Sequence, residues 1–226
     1  MPEARRVRAI FDSIAPRYDR FNRVATLNRD QGWRARTAAA AAPSHVAHAL
    51  DVATGTGLVA RELLERADVV TGVDLSLEML RTGESLDGSR FSMAAGDALA
   101  LPFKDASFDC ATIGYGVRNT ADPQRSLDEL FRVLKPGGRA AVLDICKPSS
   151  STQELLCRTV FRVIVPMVGR LLAGKTGPYC YLVQSVDDFD TPEELADSMR
   201  ASGFTEVSFE VLYLGLVTLH VGVKPG

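Results

Sequence analysis

Short apolar runs alternate with helix-spaced segments, and the first run ends in a glycine-rich turn; this pattern constrains the fold more than any other feature of the chain. Ala49-Leu50-Asp51-Val52-Ala53 meets Thr54-Gly55-Thr56-Gly57, and residues 58–66 then carry helical spacing, with Leu63 and Leu64 apolar beside Arg61, Glu62 and Glu65. Residues 69–73 read as a second strand, 76–84 as a second helix, 91–95 as a third strand and 108–113 as a fourth. Asp122-Pro123 opens the next helix well, because Asp can cap it and Pro suits the first helical position, where no N–H is needed. That helix is expected to run to Leu134 and stop at Pro136-Gly137-Gly138, with residues 140–145 as a fifth strand. Such alternation predicts a parallel sheet covered on both faces, with ligands beyond the carboxyl ends of the strands.

The flanks differ. Residues 4–48 look helical and basic, with strong helix propensity in 38–42 before Pro43. Regularity lapses over 147–190, after which Thr191-Pro192-Glu193-Glu194 forms a capping-box start for a helix ending at Gly203. The β-rich runs 205–212 and 216–223 are too close in sequence for a parallel crossover and must pair as a hairpin.

Composition removes several function classes. Lys and Arg number 26 against 28 Asp and Glu, a net charge of −2, which excludes electrostatically driven nucleic-acid binding as a first reading. The four cysteines, Cys110, Cys146, Cys157 and Cys180, form no C-x-x-C pair and have no neighbouring His, so neither a metal site nor a disulfide framework is expected. Cys110 and Cys146 lie in apolar runs as small buried hydrophobes. The N-terminus is charged, and the most apolar later segment, 160–173, is broken by Arg162 and Arg170; a cytoplasmic, non-spanning protein is expected.

The loop 51–57 admits two cofactors. Gly55, Gly57 and Ala60 satisfy the dinucleotide fingerprint, and Asp74 lies 19 positions after Gly55, where a ribose-binding carboxylate belongs. An adenosyl sulfonium would place its ribose hydroxyls on Asp74 equally well. Three features favour the sulfonium. Asp51 could meet an ammonium group, which a nicotinamide dinucleotide lacks. Gly96-Asp97-Ala98 offers an acidic loop to an adenine amino group, although a turn role for Asp97 alone explains it as well. The run from Leu134 to Gly138 and the terminal hairpin leave no separate substrate domain.

The sequence resembles the class I S-adenosylmethionine-dependent methyltransferases, and within them the C-methyltransferases of menaquinone and ubiquinone biosynthesis, the UbiE family. Tyr18-Asp19, Asn22 and Trp33 match the N-terminal signature, with Phe21, Ala25, Thr26 and Asp30 in place of the usual Met, aliphatic residue, Ser and His. Arg132-Val133-Leu134-Lys135-Pro136-Gly137-Gly138 matches the second signature and continues to Asp144 and Cys146, where Glu and Ser are typical. Leu101-Pro102-Phe103, Ser107-Phe108-Asp109, Gly116-Val117-Arg118-Asn119 and Leu219-His220-Val221-Gly222 follow the pattern too. Gly114, where Ser is usual, and Gln184 are further departures.

The resemblance implies a Rossmann-like α/β fold, a mostly parallel seven-stranded sheet with a C-terminal antiparallel hairpin, in a single domain over 1–226. Within it, 1–48 would be a helical lid, 49–146 the cofactor core, 147–190 a helical insertion capping the acceptor, and 191–226 the last helix and hairpin. The cofactor implied is S-adenosylmethionine, held by Tyr18, Asp51, Thr54, Gly55, Thr56, Gly57, Asp74, Leu75, Asp97, Ala98, Gly114 and Tyr115. The acceptor implied is a lipophilic prenylated quinol.

C-methylation of a quinol requires an oriented ring carbon and a stabilised phenolate. Arg118 and Asn119 are the candidates: Arg118 for the oxyanion or a proton-accepting water, Asn119 for a quinol oxygen; an ion pair of Arg118 with a carboxylate such as Asp122 is the structural alternative. Tyr18 and Trp33 could close the lid, Tyr179 and Tyr181 could line the acceptor pocket, and His220 reads as a structural histidine rather than a base. An apolar face with arginines over 153–173 suits peripheral contact with a membrane, though packing on the sheet fits equally; a homodimer stays open. The rival functions are an O- or N-methyltransferase of small molecules and a non-catalytic cofactor- or lipid-binding subunit.

Overall fold

A computed structural model describes residues 2–83, 89–148, 181, 184–213, 215 and 217–226. Two helices lead the chain, α1 (Pro2–Ala25) and α2 (Asp30–Ala41). Then come β1 (Val46–Val52), α3 (Leu58–Leu63), β2 (Ala67–Asp74), α4 (Leu77–Thr82), β3 (Phe91–Ala95) and β4 (Phe108–Gly114). A 3-10 turn (Val117–Asn119), α5 (Pro123–Val133), β5 (Leu134–Ile145), α6 (Pro192–Ala201), β6 (Thr205–Tyr213) and β7 (Val217–Val223) complete the described elements. The seven strands lie in the order β3-β2-β1-β4-β5-β7-β6, parallel from β3 to β5. β7 is antiparallel to both β5 and β6, so the terminal pair inserts its second strand against the sheet.

Alternation along the central strands sends neighbouring side chains to opposite layers. Leu50, Val52, Ala111, Ile113, Ala140 and Val142 face α5 and α6, where Leu127, Leu130, Leu195 and Met199 are buried. Ala49, Cys110, Ala141 and Leu143 face the other way, toward Ala38 and Ala41 of α2 and Ala60 and Leu63 of α3. Small residues on both sides of that layer let the alanine-rich helix approach the sheet closely. Cys110 and Cys146 are fully buried, and burial pushes each thiol up to about 12. Cys157, Cys180, Tyr179 and the segment 153–173 lie outside the described residues.

Local chemistry sets the boundaries. Ser76 accepts from the Met79 N–H at the start of α4, Asp122 accepts from the Arg125 N–H at the start of α5, and Thr191 and Glu194 close a reciprocal capping box on α6. Two boundaries depart from expectation. The helical reading to residue 48 fails because α2 ends at Ala41 and Val46 already pairs with Ala67, so parallel pairing claims His48 for a strand. The helix before Pro136-Gly137-Gly138 ends at Val133, within a residue of expectation, but the strand expected from 140 begins at Leu134; Leu134 pairs with Phe108, and the register resumes at Cys110 with Arg139 after an excursion at 135–138. Gly137, at φ 77°, donates its N–H to the Lys224 carbonyl at 2.9 Å. Lys224 Nζ then donates to the carbonyls of Phe131 and Leu134, each at 2.8 Å, and so closes the end of α5.

Candidate functional site

The chain runs from β1 outward to β2 and β3, then returns to β4 beside β1, so the sheet's switch point lies between β1 and β4. A pocket of about 1060 Å³, counted to its open mouth, lies beyond the carboxyl ends of β1 to β4 and under α1. Its wall contains Tyr18, Asp51, Thr54, Gly55, Thr56, Asp74, Leu75, Asp97, Ala98, Gly114, Tyr115 and Asn119. Gly57 and Arg118 are not on that wall. Gly57, at φ 83°, starts α3 instead.

The loop after β1 is folded by its acids. Asp51 is 1% exposed and accepts from the hydroxyls of Thr112 and Thr54, both at 2.7 Å. Burial nevertheless pushes its carboxyl up to about 6. Ala53 and Gly55 both take left-handed backbone, at φ 51° and 57°. The Gly55 N–H donates to Asp74 Oδ2 at 2.8 Å, and the Ser76 N–H donates to Asp74 Oδ1 at 2.8 Å. Burial raises the Asp74 pKa, and these N–H donors oppose it. Asp97, past β3, accepts from the Leu99 N–H at 2.9 Å, which is the turn role in the described structure.

Helix α1 covers this floor through two contacts that sequence spacing did not reveal. Ser76 Oγ donates to Asp12 Oδ1 at 2.5 Å, and Thr56 Oγ1 donates to Asp19 Oδ1 at 2.8 Å. Phe11 meets Tyr18 edge-on at 6.0 Å, and Tyr181 packs against the same cluster of Ile14, Phe21 and Met79. Trp33 does not reach the pocket wall; it lies on the buried side of α2, with its ring 5.5 Å from Tyr213. Arg34, one turn past Asp30, does line the pocket, and it is 6% exposed with its guanidinium 2.6 Å from Asp30.

Past β4 the backbone turns at Tyr115, whose φ is 57° and whose N–H donates to the Leu143 carbonyl at 2.6 Å. A Cβ on Gly116 would stand 2.7 Å from that of Ala53, so the two loops at the switch point touch. Asn119 Nδ2 donates to the Tyr115 carbonyl at 2.8 Å. Arg118 turns away from the pocket into a buried ion pair with Asp144 of β5, and the Arg118 N–H donates to Asp144 Oδ2 at 3.2 Å. Burial opposes its charge most, but attraction to and hydrogen bonding with Asp144, together with Tyr18 and Tyr115, outweigh it and raise the Arg118 pKa. The structural partner of Arg118 is therefore Asp144 and not Asp122, whose side chain is occupied as the cap of α5. His220 is fully buried, with Nε2 2.8 Å from the Pro192 carbonyl, its ring stacked on Phe209 at 5.0 Å and its pKa lowered by burial. Among the described residues no cluster of His, Cys, Asp or Glu could hold a metal ion, and no helix is long and apolar enough to cross a membrane.

Known proteins resemble this chain along its length. The sequence model described as "ubiE/COQ5 methyltransferase family" matches residues 1–224. A demethylmenaquinone methyltransferase of Deinococcus radiodurans is 43% identical over 223 residues, covering 96% of this chain and 92% of the relative. A solved SAM-dependent methyltransferase of Thermotoga maritima superposes with a TM-score of 0.71 at 22% identity, covering 96% of this chain and 99% of that one. A solved (4+2)-cyclase superposes with a TM-score of 0.72 at 18% identity, covering 98% of this chain and 97% of that one. Likeness at that distance shows the fold alone, and the cyclase illustrates that the fold does not choose the chemistry.

Proposed function

The chain belongs to the ubiE/COQ5 methyltransferase family, and from that premise we propose that it transfers a methyl group from S-adenosylmethionine to a ring carbon of a prenylated quinol. The observation that carries the cofactor half is Asp74. Its oxygens take the N–H groups of Gly55 and Ser76, and since a carboxylate oxygen offers about two acceptor sites, lone-pair capacity remains for ribose hydroxyls. Among the described residues, chain neighbours aside, no atom lies within 4 Å of where a Gly55 Cβ would stand, which is room for an adenosyl group against bare backbone. Asp51 would hold the ammonium end, and the 97–98 loop would meet the adenine edge. When bound, the cofactor supplies an electrophilic methyl on a positively charged sulfur.

The chain's own residues do the rest. Phe11, Tyr18 and Met79 exclude water beneath α1. Asn119 is the member of the Arg118-Asn119 pair that meets the acceptor, because it lines the pocket while Arg118 does not. Arg118 acts behind it, fixing the 115–119 turn to β5 through Asp144. The acceptor class rests on the family and on the demethylmenaquinone methyltransferase relative. Incubation with labelled S-adenosylmethionine and a panel of demethylated quinols, followed by location of the methyl, tests the reading. A new ring-carbon methyl is expected; a methyl ether, or no transfer to any quinol, would overturn it.

A further inference from the structure

Residues 2–29 carry seven arginines against three acidic residues, a charge of +4 within a chain whose net charge is −2. Most of that charge stands on one side of α1. Among the described residues, the exposed positions of this helix hold Arg5, Arg6, Arg8, Arg17, Arg20 and Arg23 and no acidic residue. At about 100° per residue, all but Arg8 fall within about one third of the helix circumference, opposite Phe11, Ile14 and Tyr18. The acids Asp12 and Asp19 turn to the loops beneath, where they accept from Ser76 and Thr56.

A merely solvated helix face is built differently in this same chain. On α4 and α6 exposed cations are matched by acids three positions away, Arg81 by Glu78 and Arg200 by Asp197. On α1 Arg8 has such a partner in Asp12 at 3.6 Å, whereas no carboxylate among the described residues pairs with the other five. The end of the helix adds an apolar tip. Val24 is 45% exposed, and Leu27, at 74%, is the most exposed large apolar side chain among the described residues. Leu27 takes φ 53°, the left-handed conformation in which glycine or asparagine usually ends a helix, and the Asn28 N–H fixes the turn on the Arg23 carbonyl at 2.7 Å. Arg23 and Arg29, both exposed, flank it in the chain.

Cations beside an apolar tip suit an anionic bilayer, which offers phosphates to the first and hydrocarbon to the second. A nucleic acid would ask for aromatic faces among the cations, and the exposed positions of α1 hold none. The same helix covers the pocket, and exposed Arg8 lies on the pocket wall, so the pocket reaches the surface along the edge of α1. Resting on the quinol reading for its lipid substrate, we propose that the outer face of α1, with Leu27 at its end, docks on an anionic phospholipid surface. Docking there brings the edge of the pocket to an acceptor held in the bilayer.

Co-sedimentation of the full chain with vesicles free of quinol tests the surface. Binding is expected to phosphatidylcholine vesicles that contain phosphatidylglycerol, not to phosphatidylcholine alone, and it should fade in high salt. The triple variant Arg17→Gln, Arg20→Gln, Arg23→Gln should bind about 100-fold more weakly, at about 5-fold per cation. Leu27→Asn should bind about 5- to 30-fold more weakly, with a level or higher thermal midpoint because Asn tolerates the left-handed backbone. Both variants should turn over a short-tailed, water-soluble demethylated quinol at the wild-type rate and a vesicle-held long-tailed one more slowly. Wild type that ignores anionic vesicles, unchanged vesicle binding in either variant, or tighter binding to RNA than to vesicles would each overturn the proposal. Vesicle binding without methylation of any quinol would overturn the quinol reading and leave the docking surface standing.

Discussion

Replacing Asp51 with Asn separates what this carboxylate costs the fold from what it does for a ligand. Its two oxygens accept from Thr112 and Thr54, yet burial raises its pKa from 3.8 to about 6. Asn has the same shape: its oxygen can keep the Thr112 hydroxyl, and its NH₂ can donate to Thr54, whose hydroxyl accepts as readily as it donates. In the unfolded chain the carboxyl ionises near its ordinary 3.8, whereas in the fold it keeps its proton to about pH 6. Stability that depends on this proton is therefore complete below pH 3.8 and is lost as pH rises through about 6. At about 1.4 kcal/mol per pH unit the loss approaches about 3 kcal/mol by pH 7.5. Asp51→Asn should accordingly exceed wild type by about 2–3 kcal/mol in urea unfolding at about pH 7.5 without ligand, and match it near pH 3.5. If Asp51 also pairs with the cofactor's ammonium, wild-type affinity for S-adenosylmethionine should rise between about pH 5 and 7 while the variant's stays flat and weaker. A variant less stable than wild type at neutral pH would refute the desolvation reasoning, and pH-independent wild-type affinity would remove Asp51 from the ligand.

Asp74→Ala should weaken S-adenosylmethionine binding by about 1–3 kcal/mol, since two hydroxyls lose a charged acceptor; unchanged affinity by calorimetry would take Asp74 out of the site. Gly55→Ala should lose about 1 kcal/mol of stability to its positive φ, and affinity should drop further as the methyl enters the open space; full affinity would mean the loop does not cradle the ligand. Arg118→Leu leaves Asp144 buried and unpaired, so unfolding free energy should fall by about 3–5 kcal/mol along with turnover. Lost turnover at wild-type stability would instead return Arg118 to the chemistry.

Features that depend on neighbours in sequence could be read in advance, and those that depend on distant partners could not. The residues 91–95 strand, the Asp122 and Thr191 caps and the terminal hairpin each follow from periodicity or capping within a few positions. Loop 51–57 and Asp74 were legible for the same reason: a glycine turn between strand and helix, and an acid ending the next strand. Arg118 shows the opposite case. Its turn supplied a nearby acid in Asp122, but the partner is Asp144, 26 positions away and hidden in a strand that reads as a plain apolar run. The ties of α1, Asp12 to Ser76 and Asp19 to Thr56, span 64 and 37 positions and leave no periodic trace. Arg34 was missed because a helix of alanines and arginines looks solvated until the sheet buries one face of it.

Backbone strain separates the residues that build the fold from those that shape the pocket. Left-handed conformations occur at Ala53, Gly55 and Gly57 after β1 and at Tyr115 after β4, the two strands that flank the switch point. Glycine relieves the strain at two of these four positions, and the others keep side chains that disfavour it. Gly116 shows why the backbone must bend so tightly there: its Cα region approaches Ala53 so closely that a Cβ would stand 2.7 Å from the alanine methyl. Two loops pressed together at that point bring Asp51, Tyr115 and Asn119 to the lining of the same pocket. Tyr115 holds its strained backbone through the 2.6 Å bond from its N–H to the Leu143 carbonyl, which ties the turn after β4 to β5 beside the pocket.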